Sequence, residues 1–531
     1  MVPFSLLDWV WVFAYMVWFF SFGFLFIRIA SRSQENFFLA GRGLPWWMPA
    51  VSVYGTHTAT DTPIWMGGVL YRHGARGIWY LFTMGWCALS AFFSIKVFKR
   101  SLAYTQAEYQ TLRFAGLPSE LLRGWLAGWQ VFMQMFVLGW VGIAMGKVCN
   151  MVFDWPLWMG MVIFTLIIGI YSMVAGYWGV VVGDLQQGTI MFILIVLVAA
   201  YGISGAGGIE GIKASLAAMG ESWRLNPFHF DAFDATDPNN FSLFWLITMI
   251  IILVFGGLGM GTHIDYYPDA QRAASTKSVR DASYSIWGGG MFIIIRNSIW
   301  VAMILAFFVL LPVLSIADPT SGYDMGFYWI GFKFLPSGLI GFFFAGILAI
   351  HISTIDTHIN LGAEYATRDI YHHYINPNAS EKQLVRVGRI ATILIMLGSF
   401  VFGLMVGEDF VGWLIFAMWF LSSAIWLPQL LQVLWWRFNG WGYLTAMIVN
   451  LGVSWLIAWV LPALGVIPVY NDAVRFWLMM IISALMYLPV TFLTKPEDMD
   501  HLVTFYTMTR PPGFWGPVRK EAIRRGLIKE E

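Results

Sequence analysis

The stretch Ala345–Gly362, "AGILAIHISTIDTHINLG", sets two His, one Ser, two Thr, an Asp and an Asn into one of the most apolar runs of a 531-residue chain. At 100° per residue, Ser353, Asp356, Thr357, Asn360 and Glu364 fall within about 100° of arc. Leu348, Ile352, Ile355 and Ile359 cluster opposite, on a face suited to lipid or apolar neighbours, while His351 and His358 form a third strip. Hydroxyl, carbonyl and carboxylate oxygens are hard ligands that suit a small alkali cation and poorly suit soft metals. A single Ser or Thr in a membrane helix ordinarily bonds back to its own backbone. The adjacent pair Ser353-Thr354 beside an intramembrane carboxylate asks for more, because such a carboxylate costs several kcal/mol and marks a functional site by default. Two further carboxylates join the argument: Asp184 in "GVVVGDLQQGTIMF", and Asp61 in "GTHTATDTP". Arg296, in "GMFIIIRNSIW", reads either as their internal counter-charge or as an arginine snorkelling to the membrane surface.

The elements that must carry these residues follow from composition. The chain is 59% hydrophobic, 18% aromatic and 11% charged, with a formal net charge of +1; soluble chains carry about 25% charged residues. Apolar runs of membrane-crossing length recur from end to end, whereas a β-barrel would show short alternating segments. The pattern predicts an all-α polytopic membrane protein embedded in a lipid bilayer. Its charge gives no footprint for nucleic acid, and no obligate protein partner is implied. Cys87 and Cys149 allow neither a disulfide framework nor a CxxC metal motif. Thirteen spans are expected, near 5–29, 45–70, 77–98, 122–148, 157–176, 180–204, 241–263, 285–312, 329–367, 387–406, 410–434, 440–462 and 473–494. The first is too long, and too poor in a cleavage site, for a signal peptide. The ninth is too long for one straight crossing, so part of it lies outside the core or tilts. With the N-terminus outside, most of the 31 Lys and Arg fall on inside loops, which favours N-out, C-in in the inner (plasma) membrane. The loop at 205–240 is then external, with room for short helices, and the tail 495–531 reads as a solvated anchor.

Spans two and seven share an irregularity. The second, "LPWWMPAVSVYGTHTATDTPIWMGGVLY", has Pro45, Pro49, Gly55 and Pro63 around a polar centre. The seventh ends "VFGGLGMGTHIDYYPDAQR", with Gly256, Gly257, Gly259 and Gly261 ahead of His263. Pro removes a ladder hydrogen bond and Gly weakens a helix, so both unwind at mid-depth. Gly runs also serve close helix packing, but two such helices separated by four intact ones fit inverted repeats of five spans, 2–6 and 7–11. That layout builds a solute site from unwound carbonyls and half-helix ends. The organisation is an extra span and loop (1–44), a ten-helix transport core (45–434), two extra spans (435–494) and the tail (495–531).

At this point the chain resembles the sodium/solute symporter family over about residues 5–490. "ENFFLAGRGLPWWMPAVSVYGT" resembles the approach to the family's first core helix and "VAGYWGVVVGDLQQGTIMF" its glycine–aspartate–glutamine segment. "PDAQRAASTKSVRDAS" resembles its cytoplasmic Gln-Arg loop, and "ISTIDTHINLGAEYATRDIYHHY" its Ser-Thr helix. "LLQVLWWRFNGWG" and "FYTMTRPPGFWG" resemble a bacterial branch of it. The resemblance implies a leucine-transporter-like core with unwound first and sixth core helices. It also implies a main Na⁺ site made of the backbone oxygens of Gly55, Thr58 and Ile350 and the hydroxyls of Ser353 and Thr354. A second cation site, present in some members, would use Asp184, Ser353 and Thr357. There Asp356 stands where two-sodium members carry Ser, so it either tightens the site or holds a proton. The solute cavity would be lined by His57, Asp61, Thr62, Gln134 and His263, and His57 replaces the family's Asn or Asp.

The resulting expectation is a Na⁺-coupled symporter that imports a small polar organic solute by alternating access, with no catalytic residues. A channel would favour filter loops or charged rings, which the sequence lacks. A solute sensor would add a signalling domain after the last span. A His-rich membrane enzyme would show HxxxH boxes, and His372-His373 stands alone.

Overall fold

A backbone in hydrocarbon has no water to bond, so its N–H and C=O groups must find partners in the protein; among the described residues most do so as helix. The structure, a computed structural model, describes residues 2–30, 32–85, 94–237, 240–255, 269–314, 323–406 and 426–529. All regular elements among the described residues are helical, with only isolated bridge pairs besides. Seven helices among them are long and apolar enough to cross a membrane; the expected total of thirteen is not established by that number.

Nine helices frame the centre: α1 (Leu6–Ala30), α2 (Trp47–Thr56), α3 (Asp61–His73), α4 (Gly116–Phe153), α5 (Leu157–Gly205), α6 (Asp269–Ser275), α7 (Val279–Leu314), α8 (Ile340–Tyr365) and α9 (Glu381–Val406). The α8 helix lies innermost, packed against α1, α2, α4, α5 and α9. The most apolar window of its continuous helical run is 94% buried, against 39% for α9. Its apolar face therefore meets protein: Leu348, Ile352, Ile355 and Ile359 are all buried.

Three sequence expectations change. The long span 329–367 is two helices, Gly326–Phe334 and α8, because Leu335, in front of Pro336, takes an extended conformation that stops the first. Spans five and six are not separated by a loop. They run on as α5 through a single corner at Gly176, φ +58°, ψ −164°, a backbone state open to glycine and costly for other residues. The tail is not a solvated anchor. It folds into Met499–Thr509 and Gly516–Arg524, buries Trp515, and donates the Trp515 indole N–H to Val433 O at 2.8 Å. Glu497 accepts the backbone N–H groups of Ala115 and Gly440, both at 2.9 Å, and Arg113 stacks 4.8 Å over the Trp515 ring. Aromatic rings spaced between the tail's charges give it an apolar face to dock, which a charge count alone conceals. The 205–240 segment carries the expected short helix, Gly208–Ala218. The break foreseen in span seven, with Gly256–Gly261, and Cys87 lie outside the described residues.

Candidate cation and solute site

Helix α2 stops at Thr56 and α3 starts at Asp61, so residues 57–60 cross the core without helical structure. Locally, Pro63 has no N–H to extend α3 backwards, and the Thr62 hydroxyl instead accepts the Ala59 N–H at 2.9 Å. The freed groups find protein partners. Arg296 on α7 donates to His57 O at 2.6 Å and also to the Thr58 hydroxyl. Tyr328 donates its OH to Thr60 O at 2.7 Å, and the Thr60 hydroxyl sits 3.1 Å from His351 Nδ1. Arg296 is fully buried. It does not snorkel, and among the described residues it hydrogen-bonds no carboxylate; further bonds go to Asn297 Oδ1, at 3.1 and 2.9 Å.

Across from this break, α8 presents its hydroxyls. Thr354 Oγ1 lies 3.4 Å from Ile350 O and 3.4 Å from Thr56 O. A hard cation held at about 2.4 Å, the distance oxygen ligands keep from calcium, sets adjacent oxygens about 3.4 Å apart. Both distances from Thr354 Oγ1 match that spacing. Gly55 lies against α8, since a Cβ there would stand 3.0 Å from Ser353 Oγ. The carbonyl that reaches Thr354 is that of Thr56. Thr58 turns its hydroxyl to Tyr54 O at 2.7 Å, and Gly55 O accepts the Thr58 N–H at 3.0 Å.

The residues named for a second cation surround a guanidinium. From α6, Arg272 donates Nε to Ser52 Oγ at 3.0 Å, and Nη2 to Thr357 Oγ1 at 2.6 Å and Thr56 Oγ1 at 2.8 Å. Its Nη2 also meets Asp184 Oδ2 at 3.4 Å. Ser52 donates to that same carboxylate oxygen, and Ser353 donates to the other, Asp184 Oδ1, at 2.5 Å. Arg272 and Asp184 are both fully buried. Asp356 is equally buried, yet neither of its oxygens has a hydrogen-bond partner among the described residues.

The solute candidates divide. Asp61 accepts the Trp140 indole N–H at 3.1 Å with Oδ2 and leaves Oδ1 without a hydrogen-bond partner among the described residues. Gln134 is buried between Gln130, 3.0 Å away, and His358 Nδ1, 2.5 Å away. His57 turns to Asp269, 3.2 Å off, while the Thr62 hydroxyl is engaged by the Ala59 N–H. His263 lies outside the described residues. Of the polar strip on α8, Asn360 and Glu364 both accept from Gln271, at 3.0 and 2.8 Å. The residues that sequence reasoning passed over are Ser52, Thr56 and Arg272. Ser52 and Thr56 stand four apart on one face of α2, which was a usable sign. Arg272 was visible only as part of a loop motif.

The sodium:solute symporter family profile matches residues 37–450, most of the chain. The chain belongs to the sodium:solute symporter family. A sodium/glucose cotransporter of Vibrio parahaemolyticus is 24% identical over 71% of this chain and 70% of its own length. The osmoregulated proline transporter OpuE of Bacillus subtilis is 24% identical, covering 81% of this chain and 84% of that protein. A sodium/pantothenate symporter of Haemophilus influenzae is 24% identical, covering 82% and 87%. In structure, a Na⁺-coupled sialic acid symporter in a substrate-bound outward-open state aligns with a TM-score of 0.77 at 17% identity, over 93% of this chain and all of that one. That likeness shows the fold, the all-helical leucine-transporter-like core, for this member of the sodium:solute symporter family.

Proposed function

We propose that this protein is a Na⁺-coupled symporter that imports a small polar organic solute by alternating access. The observation that carries the reading is the oxygen cluster of Thr354 Oγ1, Ile350 O and Thr56 O, built from two elements that nothing covalent holds at that register. A Na⁺ bound there ties the α2 break to α8, and Ser353 and Gly55 flank it. Binding the ion in one state of the carrier better than in the other favours that state, and the solute site beside the same break then inherits the preference. Asp61 Oδ1, a buried acceptor with no hydrogen-bond partner among the described residues, is our choice for a solute donor group. His57, Thr62, Gln134 and His263 complete the proposed lining. The solutes named for relatives, glucose, proline and pantothenate, share polarity and small size, which supports a small polar solute here. An N-out, C-in placement in the plasma membrane lets the membrane potential contribute about 2.3 kcal/mol per charge per 100 mV to inward transport.

The test is counterflow of labelled solutes in proteoliposomes, screened across sugars, amino acids and carboxylates with and without Na⁺. Carrier exchange that depends on Na⁺ is the expected result, and flux without exchange would point to a channel instead. Ser353→Ala should raise the Na⁺ concentration for half-maximal exchange about tenfold, the equivalent of about 1.4 kcal/mol. An unchanged Na⁺ dependence removes Ser353 from the site.

A further inference from the structure

The position where the family resemblance places a second cation is already filled from within the chain. Four oxygens from three helices converge on it, those of Ser52, Thr56, Thr357 and Asp184, and each is within reach of the Arg272 guanidinium. We propose that Arg272 is a tethered cation: it takes the place of a second Na⁺ beside Asp184, so that each chain binds one Na⁺. This rests on the symport reading above.

The support is geometric and electrostatic. A guanidinium keeps its charge at every physiological pH and offers its donors in a fixed fork. An ionised carboxylate buried as deeply as Asp184 is stabilised by a positive partner, and Arg272 supplies one without an ion from solution. The side chain is held there. All seven residues of α6 are buried. Next to Arg272, Gln271 Nε2 bonds Phe38 O at 3.0 Å together with Asn360 and Glu364 on α8. Lys99 clamps the end of α6 through Ala274 O at 2.8 Å and through Thr276 O. A Na⁺ at the same carboxylate would compete for the same hydroxyls and repel the guanidinium. The pairing also orients Ser353. Its proton is committed to Asp184 Oδ1, which leaves its lone pairs for the Gly55 side, where the main Na⁺ is proposed.

The experiment counts Na⁺. Equilibrium binding of radioactive Na⁺ to the purified full chain gives stoichiometry and Hill coefficient, the latter bounded by the number of sites. Thermal stabilisation by Na⁺ is the second readout. Wild type should bind one Na⁺ with a Hill coefficient of one. Arg272→Gln should expose the Asp184 carboxylate, bind two, and move the Hill coefficient toward two. Arg272→Lys should remain at one, because a tethered charge persists. The double variant Arg272→Gln/Asp184→Asn should also remain at one, because the carboxylate that would hold the second ion is gone. Two Na⁺ bound by wild type would overturn the tethered cation while leaving symport intact. One Na⁺ bound by a folded Arg272→Gln, with wild-type stabilisation by Na⁺, would overturn it as well. Should Arg272→Gln fail to fold, the wild-type count decides. No Na⁺ bound by wild type would overturn the symport reading itself, and this inference with it.

Discussion

Two arginines lie fully buried on either side of the α2–α3 break, and they do opposite things with the same guanidinium. Arg272 gathers side-chain oxygens from α2, α5 and α8, one of them the carboxylate of Asp184. Arg296 serves the break itself, through the His57 carbonyl and the Thr58 hydroxyl, and its other partner is the neighbouring Asn297. One is half of a charge pair; the other is a multiple donor to backbone that has lost its helix. The difference teaches that a buried charge has to be judged by what it leaves behind when removed. Without Arg272 a buried carboxylate loses its compensation, whereas without Arg296 a carbonyl loses a donor.

Substitutions can break this comparison. The largest effect should come from Asp184→Asn, which strands the Arg272 charge. Losing one member of a buried pair costs about 3 kcal/mol, read as a lowered thermal unfolding midpoint in detergent. Adding Arg272→Gln to it should recover most of that loss, and no recovery would mean that the two are not a pair. Arg296→Gln should cost less, about 2 kcal/mol, for the unsatisfied buried carbonyl. Combining it with Asp184→Asn should bring no rescue; the two losses should instead add. A rescue would show that Arg296 is a counter-charge after all. Ser52→Ala should cost least, about 1 kcal/mol, because Asp184 and Arg272 both keep other partners. A larger loss would mean that Ser52, rather than the charge pair, organises the cluster.

How far the sequence could be read differs between these places. The break at residues 57–60 was legible, because proline, glycine and a run of threonines disfavour helix wherever they occur. The oxygen arc of α8 was legible too, since helical periodicity alone puts Ser353, Thr357 and Asn360 on one side. What that arc faces was not. Periodicity gives a direction around one helix axis and says nothing about the neighbour. Thr354, off the arc's centre, is the hydroxyl that meets Thr56 O, and Asp356, on the arc, meets no hydrogen-bond partner among the described residues. The tail misled for a related reason: counting charges hides an aromatic face that only docking reveals.

The sequence by itself determined the membrane class, the all-helical fold, the interrupted helix and the set of hard oxygens, because hydropathy and backbone chemistry are local properties. Only the tertiary structure decided which cation those oxygens meet. Arg272 sits in a loop segment that hydropathy assigns to water, more than eighty residues from both Asp184 and Thr357 along the chain. Its guanidinium reaches the core because α6 folds back into the bundle, buried along its whole length. A contact between distant segments depends on the packing of everything between them, and no local pattern carries that information.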